Sequence, residues 1–183
     1  MTPEMLDLFQ GMGGEHGPWL DAANVDLKAF RDETYKKVCG ARLQPVLDAL
    51  VKMKKLGVWV EVTTLVVPGM NDSEAELAGI AQFIAAELGV ETPWHISRFH
   101  PEYQMADRGP TPAATLRRAH ELGRQAGLRY VYVGNLPDAH LEDTLCPNCG
   151  RTVVARWGFW IRERHTHDGK CDYCSTPIDG AGM

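Results

Sequence analysis

The stretch GVWVEVTTLVVPGMNDSEAELAGIAQFIAAELG, residues 57–89, changes period once along its length. From 58 to 67 it is a run rich in Val, Trp and Thr, the composition of a strand, with Glu61 and Thr63 as polar members. From Ser73 onward the period is helical: Leu77, Ile80, Ile84 and Leu88 share one face, and Gly89 supplies the stop. Ser73 and Glu76 have the spacing of a capping box. A strand followed at once by an amphipathic helix is one half of a β-α-β unit, so the fold depends on whether the pattern repeats.

It does. Further strand-like runs lie at 22–29, 93–100 and 128–134. Between the first two strands, Pro45 suits a first helical position, Val46, Leu47, Leu50, Met53 and Leu56 form an apolar stripe, and Gly57 suits the stop. A third helix is expected from Thr111-Pro112 through Leu116, Ala119 and Leu122 to Gly127. The order β-α-β-α-β-α-β implies parallel pairing with right-handed crossovers, either an open doubly wound sheet or a piece of a (β/α) barrel. Polar residues on the strands (Asp26, Lys28, Glu61, Thr63, His95, Ser97, and His100 just beyond) suit a shared interior and favour the barrel. Four strands cannot close one, and only the short helical segment TPEMLDLF precedes the first. The expectation is a missing preceding half or a partner chain beside that strand.

A chain of 183 residues with 44% hydrophobic content has room for one ordinary domain and a small appendage. Its net charge of −5 argues against a surface built throughout for nucleic acid, so nucleic acid is not the expected partner. No apolar run approaches a membrane span and the start has no signal-peptide pattern, so the chain reads as cytoplasmic.

Four of the five cysteines form CPNCG (146–150) and CDYCS (171–175). Cys146, Cys149, Cys171 and Cys174 thus offer two thiolate pairs on tight turns, the donor set of a closed tetrahedral Zn²⁺ site, a staple for folding with no open position for substrate. Two disulfides or rubredoxin-like iron are the alternatives. RTVVARWGFWIRERHT between the pairs reads as a two-stranded hairpin. Its Arg151, Arg156, Arg162 and Arg164 with Trp157, Phe159 and Trp160 could bind nucleic acid. A module this small is instead expected to pack its aromatics on the ribbon or on the α/β domain, with the arginines at the rim. His165 and His167 are expected at the surface, and Cys39 as a small buried hydrophobe. The glycine-rich GMGGEHG (11–17) is read as a flexible insertion.

In NVDLKAF (24–30) side-chain alternation puts Asp26 and Lys28 on one side of the strand and Val25 and Leu27 on the other. If the strand ends near Lys28, the pair sits where parallel α/β folds place ligands. A buried structural ion pair is the competing reading. Residue physics alone leaves both open, along with a Schiff-base barrel enzyme using Lys28 as nucleophile and a non-catalytic zinc-ribbon module binding RNA or protein.

Taken together, NVDLKAF, CGARLQPVLDALVKMKKLGVWVEVTTLVVPGMND, PWHISRFHPEY, LRYVYVGN, CPNCG and CDYC resemble the later part of radical S-adenosylmethionine (SAM) enzymes related to pyruvate formate-lyase activating enzyme. The nearest likeness is to the radical enzyme of the AmmeMemoRadiSam system, which shares the ribbon-like tail. The resemblance implies an incomplete (β/α) radical-SAM barrel over 1–136 and a zinc-ribbon-like module over 137–183. It further implies that Asp26 and Lys28 hold the methionine part of SAM and that His100 contacts its nucleoside side. Thr63 stands where the activating enzymes carry an arginine, and Asn135 is a candidate by position. The family's defining C-x-x-x-C-x-x-C, which holds a [4Fe-4S] cluster, does not occur in this sequence. The GGE at 13–15 resembles another family motif but stands too close before Asp26. The chain is therefore expected to be a portion of a radical enzyme, inactive alone, with companions of the AMMECR and Memo families implied by the system it resembles.

Overall fold

The computed structural model describes residues 2–11, 18–136, 140–158 and 160–181. The glycine-rich residues 12–17, with the GGE motif, and Phe159 lie outside them.

Helix α1 (Pro3–Gly11) leads into strand β1 (Ala22–Asp26), and a short helical segment, Asp32–Thr34 continuing as a π-turn over Tyr35–Cys39 (α2), follows. Then come α3 (Leu43–Lys55), β2 (Trp59–Val66), α4 (Glu74–Phe83, extended by a π-turn over Ile84–Leu88), β3 (Trp94–Arg98), α5 (Ala113–Gln125) and β4 (Val131–Gly134). The four strands form one parallel sheet in the order β1-β2-β3-β4.

Sequential order with crossovers of one hand leaves all helices on one face. Along β2 that asymmetry is explicit: Val60, Val62, Thr64 and Val66 are buried, while Trp59, Glu61, Thr63 and Leu65 are half-buried on the other face. On the helix side Trp94 and Ile96 of β3 and Val133 of β4 join Leu50 of α3, Ile80 of α4 and Leu116 of α5 in one fully buried cluster. A polar thread through it is satisfied internally: Trp94 Nε1 donates to Thr64 Oγ1 (3.0 Å), which donates to the Leu27 carbonyl (3.0 Å). A doubly wound sheet would be apolar on both faces, so the polar second face marks this as a piece of a barrel wall.

Sequence and structure differ in places. The first strand ends at Asp26, three residues early, because the chain leaves the sheet where Leu27 and Ala29 turn into the core. Helix α3 begins at Leu43, which puts Pro45 third in the helix, still inside the first turn where its missing N–H costs nothing. Of the capping box only half forms: Ser73 Oγ accepts from the Glu76 N–H (3.3 Å). The Glu76 carboxylate, with its side chain 1% exposed, turns instead to the Phe30 N–H (2.6 Å) and to Arg31 (2.5 Å). It ties the loop after β1 to the start of α4.

After β4 the chain changes style. Strands β5 (Thr144–Leu145), β6 (Thr152–Trp157) and β7 (Trp160–Arg164) form an antiparallel sheet, and β8 (Thr166–His167) pairs with β9 (Lys170–Cys171). The expected hairpin is present as β6 and β7. Its two tryptophans are not buried: Trp157 is 52% and Trp160 77% exposed, and the ribbon's core is filled by Val153, Ile178 and two cysteines together with Tyr130. Cys39 is exposed rather than buried. Among the described residues no helix is long and apolar enough to cross a membrane.

Candidate functional site

The C-terminal end of β1 is fixed by its backbone. Leu27 N–H donates to the Thr63 carbonyl (2.9 Å), the Lys28 N–H to the Tyr35 hydroxyl (3.0 Å), and Asn71 Nδ2 to the Lys28 carbonyl (2.6 Å). Asn71 also donates to the Leu65 carbonyl (2.8 Å) and accepts from the Val67 N–H (2.7 Å), so one buried side chain locks the turn after β2 to the end of β1. On this rigid base Lys28 Nζ meets Asp26 Oδ1 at 2.9 Å, on the side away from the helices, with side chains 43% and 52% exposed. The competing reading of a buried structural pair therefore fails. These groups keep access to solvent and to a ligand.

Thr63 stands opposite Asp26 in the β1–β2 register and gives its hydroxyl to Asn24 Oδ1 (2.8 Å). His100 lies exposed two residues beyond the end of β3, and Asn135, with φ +61°, just beyond β4. Asp26, Lys28, Thr63, His100 and Asn135 thus share the C-terminal edge of the sheet, but among the described residues hydrogen bonds and ion pairs join only Asp26 to Lys28 within that set.

On the same polar face, level with Thr63 and just below it, runs a row that the sequence named only in part. Glu61 accepts from Trp59 Nε1 (3.2 Å) and shares a 2.8 Å hydrogen bond with His95 Nε2. That bond from His95 holds the Glu61 carboxyl below the usual range against the opposing effect of burial. His95 stacks on Tyr132, whose hydroxyl reaches Thr144 of the ribbon (2.9 Å) and whose pKa is raised by burial. Tyr132, Tyr35 and Asn71 carried no motif signal.

In the ribbon the four sulfurs of Cys146, Cys149, Cys171 and Cys174 all lie within 4.8 Å of one another, a group that could hold a metal ion. The two knuckles repeat one hydrogen-bond pattern. Gly150 N–H reaches the Cys146 carbonyl (3.0 Å) as Ser175 N–H reaches that of Cys171 (2.8 Å), and Cys146 and Cys171 N–H each donate five residues ahead. Gly150 and Ser175 both take positive φ, +71° and +58°. Two sulfur pairs cross between the knuckles at short range, Cys146 to Cys174 at 3.5 Å and Cys149 to Cys171 at 3.8 Å. Those separations match the edge of a tetrahedron of four sulfurs around zinc, about 3.8 Å for Zn–S bonds near 2.3 Å. They are far from a disulfide bond of about 2.05 Å, so the two-disulfide alternative is not realised. His167 is exposed, whereas His165 is half-buried, pairing with Glu163 and contacting Tyr173; neither belongs to the four-thiol group.

Residues 1–81, which include Asp26, Lys28 and Thr63, match the Radical SAM superfamily. The chain is 47% identical over 162 residues, 87% of its length, to an uncharacterized protein of Methanocaldococcus jannaschii, of which it covers 48%. Over 83 residues, 43% of the chain, it is 35% identical to the isethionate sulfite-lyase activating enzyme of Nitratidesulfovibrio vulgaris, covering 27% of that protein. The chain thus spans about half, or less, of the length of these curated relatives. Among solved structures it is similar to a domain of pyruvate-formate lyase-activating enzyme from Bacteroides vulgatus (TM-score 0.55, 14% identity, 73% of this chain and 91% of that one). A radical SAM methyltransferase from Sphaerobacter thermophilus is similar too (TM-score 0.54, 16% identity, 70% and 37%). At these identities the likeness is one of fold. Residues 1–81 thus match the Radical SAM superfamily, and the chain shares its fold with part of those solved structures.

Proposed function

We propose that this chain is a portion of an activating-enzyme-like radical SAM enzyme of the AmmeMemoRadiSam type, contributing the SAM grip of Asp26 and Lys28. One observation carries the reading: a solvent-accessible acid–base pair sits at the C-terminal end of a parallel strand whose backbone is immobilised on both sides. The amino-acid end of SAM is a zwitterion, and such a pair can exchange its internal bond for two external ones. The Asp26 carboxylate accepts from the ammonium while Lys28 donates to the carboxylate. Thr63 and His100, on the same edge, are the further contacts, His100 toward the nucleoside.

When bound to a [4Fe-4S] cluster and reduced, SAM supplies a 5′-deoxyadenosyl radical. The cysteines here do not fit that cluster: Cys39 stands alone, and the other four are gathered in the ribbon. The cluster ligands therefore belong to residues outside these 183. The four ribbon thiols suit a structural zinc, with rubredoxin-like iron as the other metal of matching geometry. Companions of the AMMECR and Memo families go with this assignment, as does a cytoplasmic setting that keeps the thiols reduced. The Schiff-base alternative gains no support, because Lys28 lies half-exposed beside a carboxylate and not in a desolvating pocket.

Calorimetry separates the outcomes. Titrated with SAM, the isolated chain is expected to bind weakly or not at all. A longer form carrying an upstream C-x-x-x-C-x-x-C, reconstituted anaerobically, is expected to bind SAM and release 5′-deoxyadenosine on reduction, with Asp26→Asn and Lys28→Ala losing at least roughly tenfold in affinity. Tight stoichiometric binding by the iron-free chain, or an unaffected Asp26→Asn, would contradict the reading.

A further inference from the structure

The ribbon does not lie flat on the sheet. Between its hairpin and the sheet's polar face is a cleft of about 750 Å³, within the size range of small-molecule sites. Glu61, His95 and Tyr132 line it from the sheet, and Arg156, Ile161 and Arg164 from the hairpin. Asp26, Lys28, Thr63 and His100 do not line it, whereas Asn135 does, so the cleft adjoins the edge assigned to SAM without containing those four contacts.

The cleft's charged groups are unequally occupied. Each carboxylate is already engaged: Glu61 by His95 and Trp59, Asp179 by Arg129 and the Tyr130 hydroxyl, Glu142 by the Gly158 N–H. The two guanidinium groups meet only neutral acceptors. Arg156 donates to the Thr144 hydroxyl (2.5 Å) and the Glu142 carbonyl (3.3 Å), Arg164 to the Thr166 hydroxyl (2.8 Å), and neither makes an ion pair among the described residues. A neutral acceptor leaves the cation's field intact, and a guanidinium has further N–H donors in a fork that fits carboxylate or phosphate. Flat and apolar surface stands beside them, in Tyr132 stacked on His95 at 5.1 Å and in Ile161. The His95–Glu61 bond uses Nε2, which leaves Nδ1 as the ring nitrogen without a hydrogen-bond partner among the described residues.

We propose that this cleft is a second ligand site, for an organic anion with a flat apolar body. Arg164 and Arg156 hold the charged group, Tyr132 and Ile161 flank the body, and His95 Nδ1 takes a hydrogen bond from it or gives one to it. The proposal stands whether or not Asp26 and Lys28 bind SAM, since the two sets share no residue.

The test uses the zinc-loaded full chain with ¹⁵N-labelled histidines, His95 being assigned through His95→Gln, and 4-hydroxybenzoate as the probe. Expected is a saturable shift of the His95 imidazole signals with a Kd on the order of 1 mM for so small a probe. Neutral 4-hydroxybenzamide should bind roughly tenfold more weakly, and Arg164→Gln should weaken the anion by a similar factor. Arg164 is exposed and bonded to one hydroxyl, so this variant is expected to keep the backbone amide spectrum of the parent. No saturable shift at His95, equal affinity for the neutral amide, or an unchanged Kd in Arg164→Gln would each overturn the proposal.

Discussion

Around the parallel sheet Leu50, Val62, Ile80, Trp94, Ile96 and Leu116 are fully buried in one continuous cluster, whereas the ribbon's own cluster holds Val153, Ile178, Cys146, Cys171 and a borrowed Tyr130. The first region is held by apolar burial on one side of a sheet, with its polar loops laced down by Asn71 and Glu76. The second has too little core for that. Its two matching knuckles put four thiols where a metal can close a tetrahedron, and the free energy of binding such a metal would be folding free energy. Tyr130 is where they meet: it sits at the start of β4, packs into the ribbon core and bonds Asp179 through its hydroxyl (3.0 Å).

The sharpest way to break this comparison is to take the metal away. With the structural zinc proposed above, chelation, or Cys146→Ser, should release the ribbon and leave the parallel sheet folded, because such a zinc contributes about 10–16 kcal/mol to a small module. Hydrogen exchange would show the amides of β5 to β9 losing protection while those of β2 and β3 keep theirs. Tyr130 should become exposed at the same time. Loss of protection throughout the chain would mean that the sheet depends on the ribbon, and the contrast would fall.

A smaller effect tests the lacing of the sheet. Asn71→Ala removes one acceptor and two donor bonds and leaves the N–H of the buried Val67 without its partner. Unsatisfied buried groups cost about 1–3 kcal/mol each, so a loss of about 2–4 kcal/mol is expected in urea unfolding. The midpoint should fall without a change in slope. A loss below about 0.5 kcal/mol would show that the turn after β2 is solvated and not locked.

How much of this was legible follows the same division. The β-α-β rhythm and the shared side of Asp26 and Lys28 depend only on local periodicity, and both can be read from the chain. The four-cysteine group is equally local, since each knuckle is a five-residue turn. What could not be read depends on partners far along the chain. Glu76 looks like half of a capping box until Phe30 and Arg31 are placed beside it. Asn71 looks like any polar turn residue until the Lys28 carbonyl arrives. The hairpin tryptophans are expected to pack on the ribbon or the α/β domain because a small module ought to bury what it can, but Tyr130 and Ile178 fill the ribbon's core and both tryptophans stay exposed. The cleft needs the ribbon and the sheet positioned together, and no periodicity encodes that.

The smallest expected effect is also the most informative about function. Asp26→Asn breaks an ion pair whose members are about half-exposed, a kind of pair that contributes about 0–1 kcal/mol. The backbone bonds around it run through Leu27, Tyr35 and Asn71, and none of them is made by the Asp26 carboxylate. The thermal midpoint of Asp26→Asn should therefore lie within a few degrees of the parent, about 2–4 °C at most. A shift far larger than this would return the pair to a structural role and remove the main support for a cofactor grip. If the shift is small, stability does not account for the pair. The dense bonding of its backbone beside the looseness of its side chains then has the form expected of a site whose partner is a ligand.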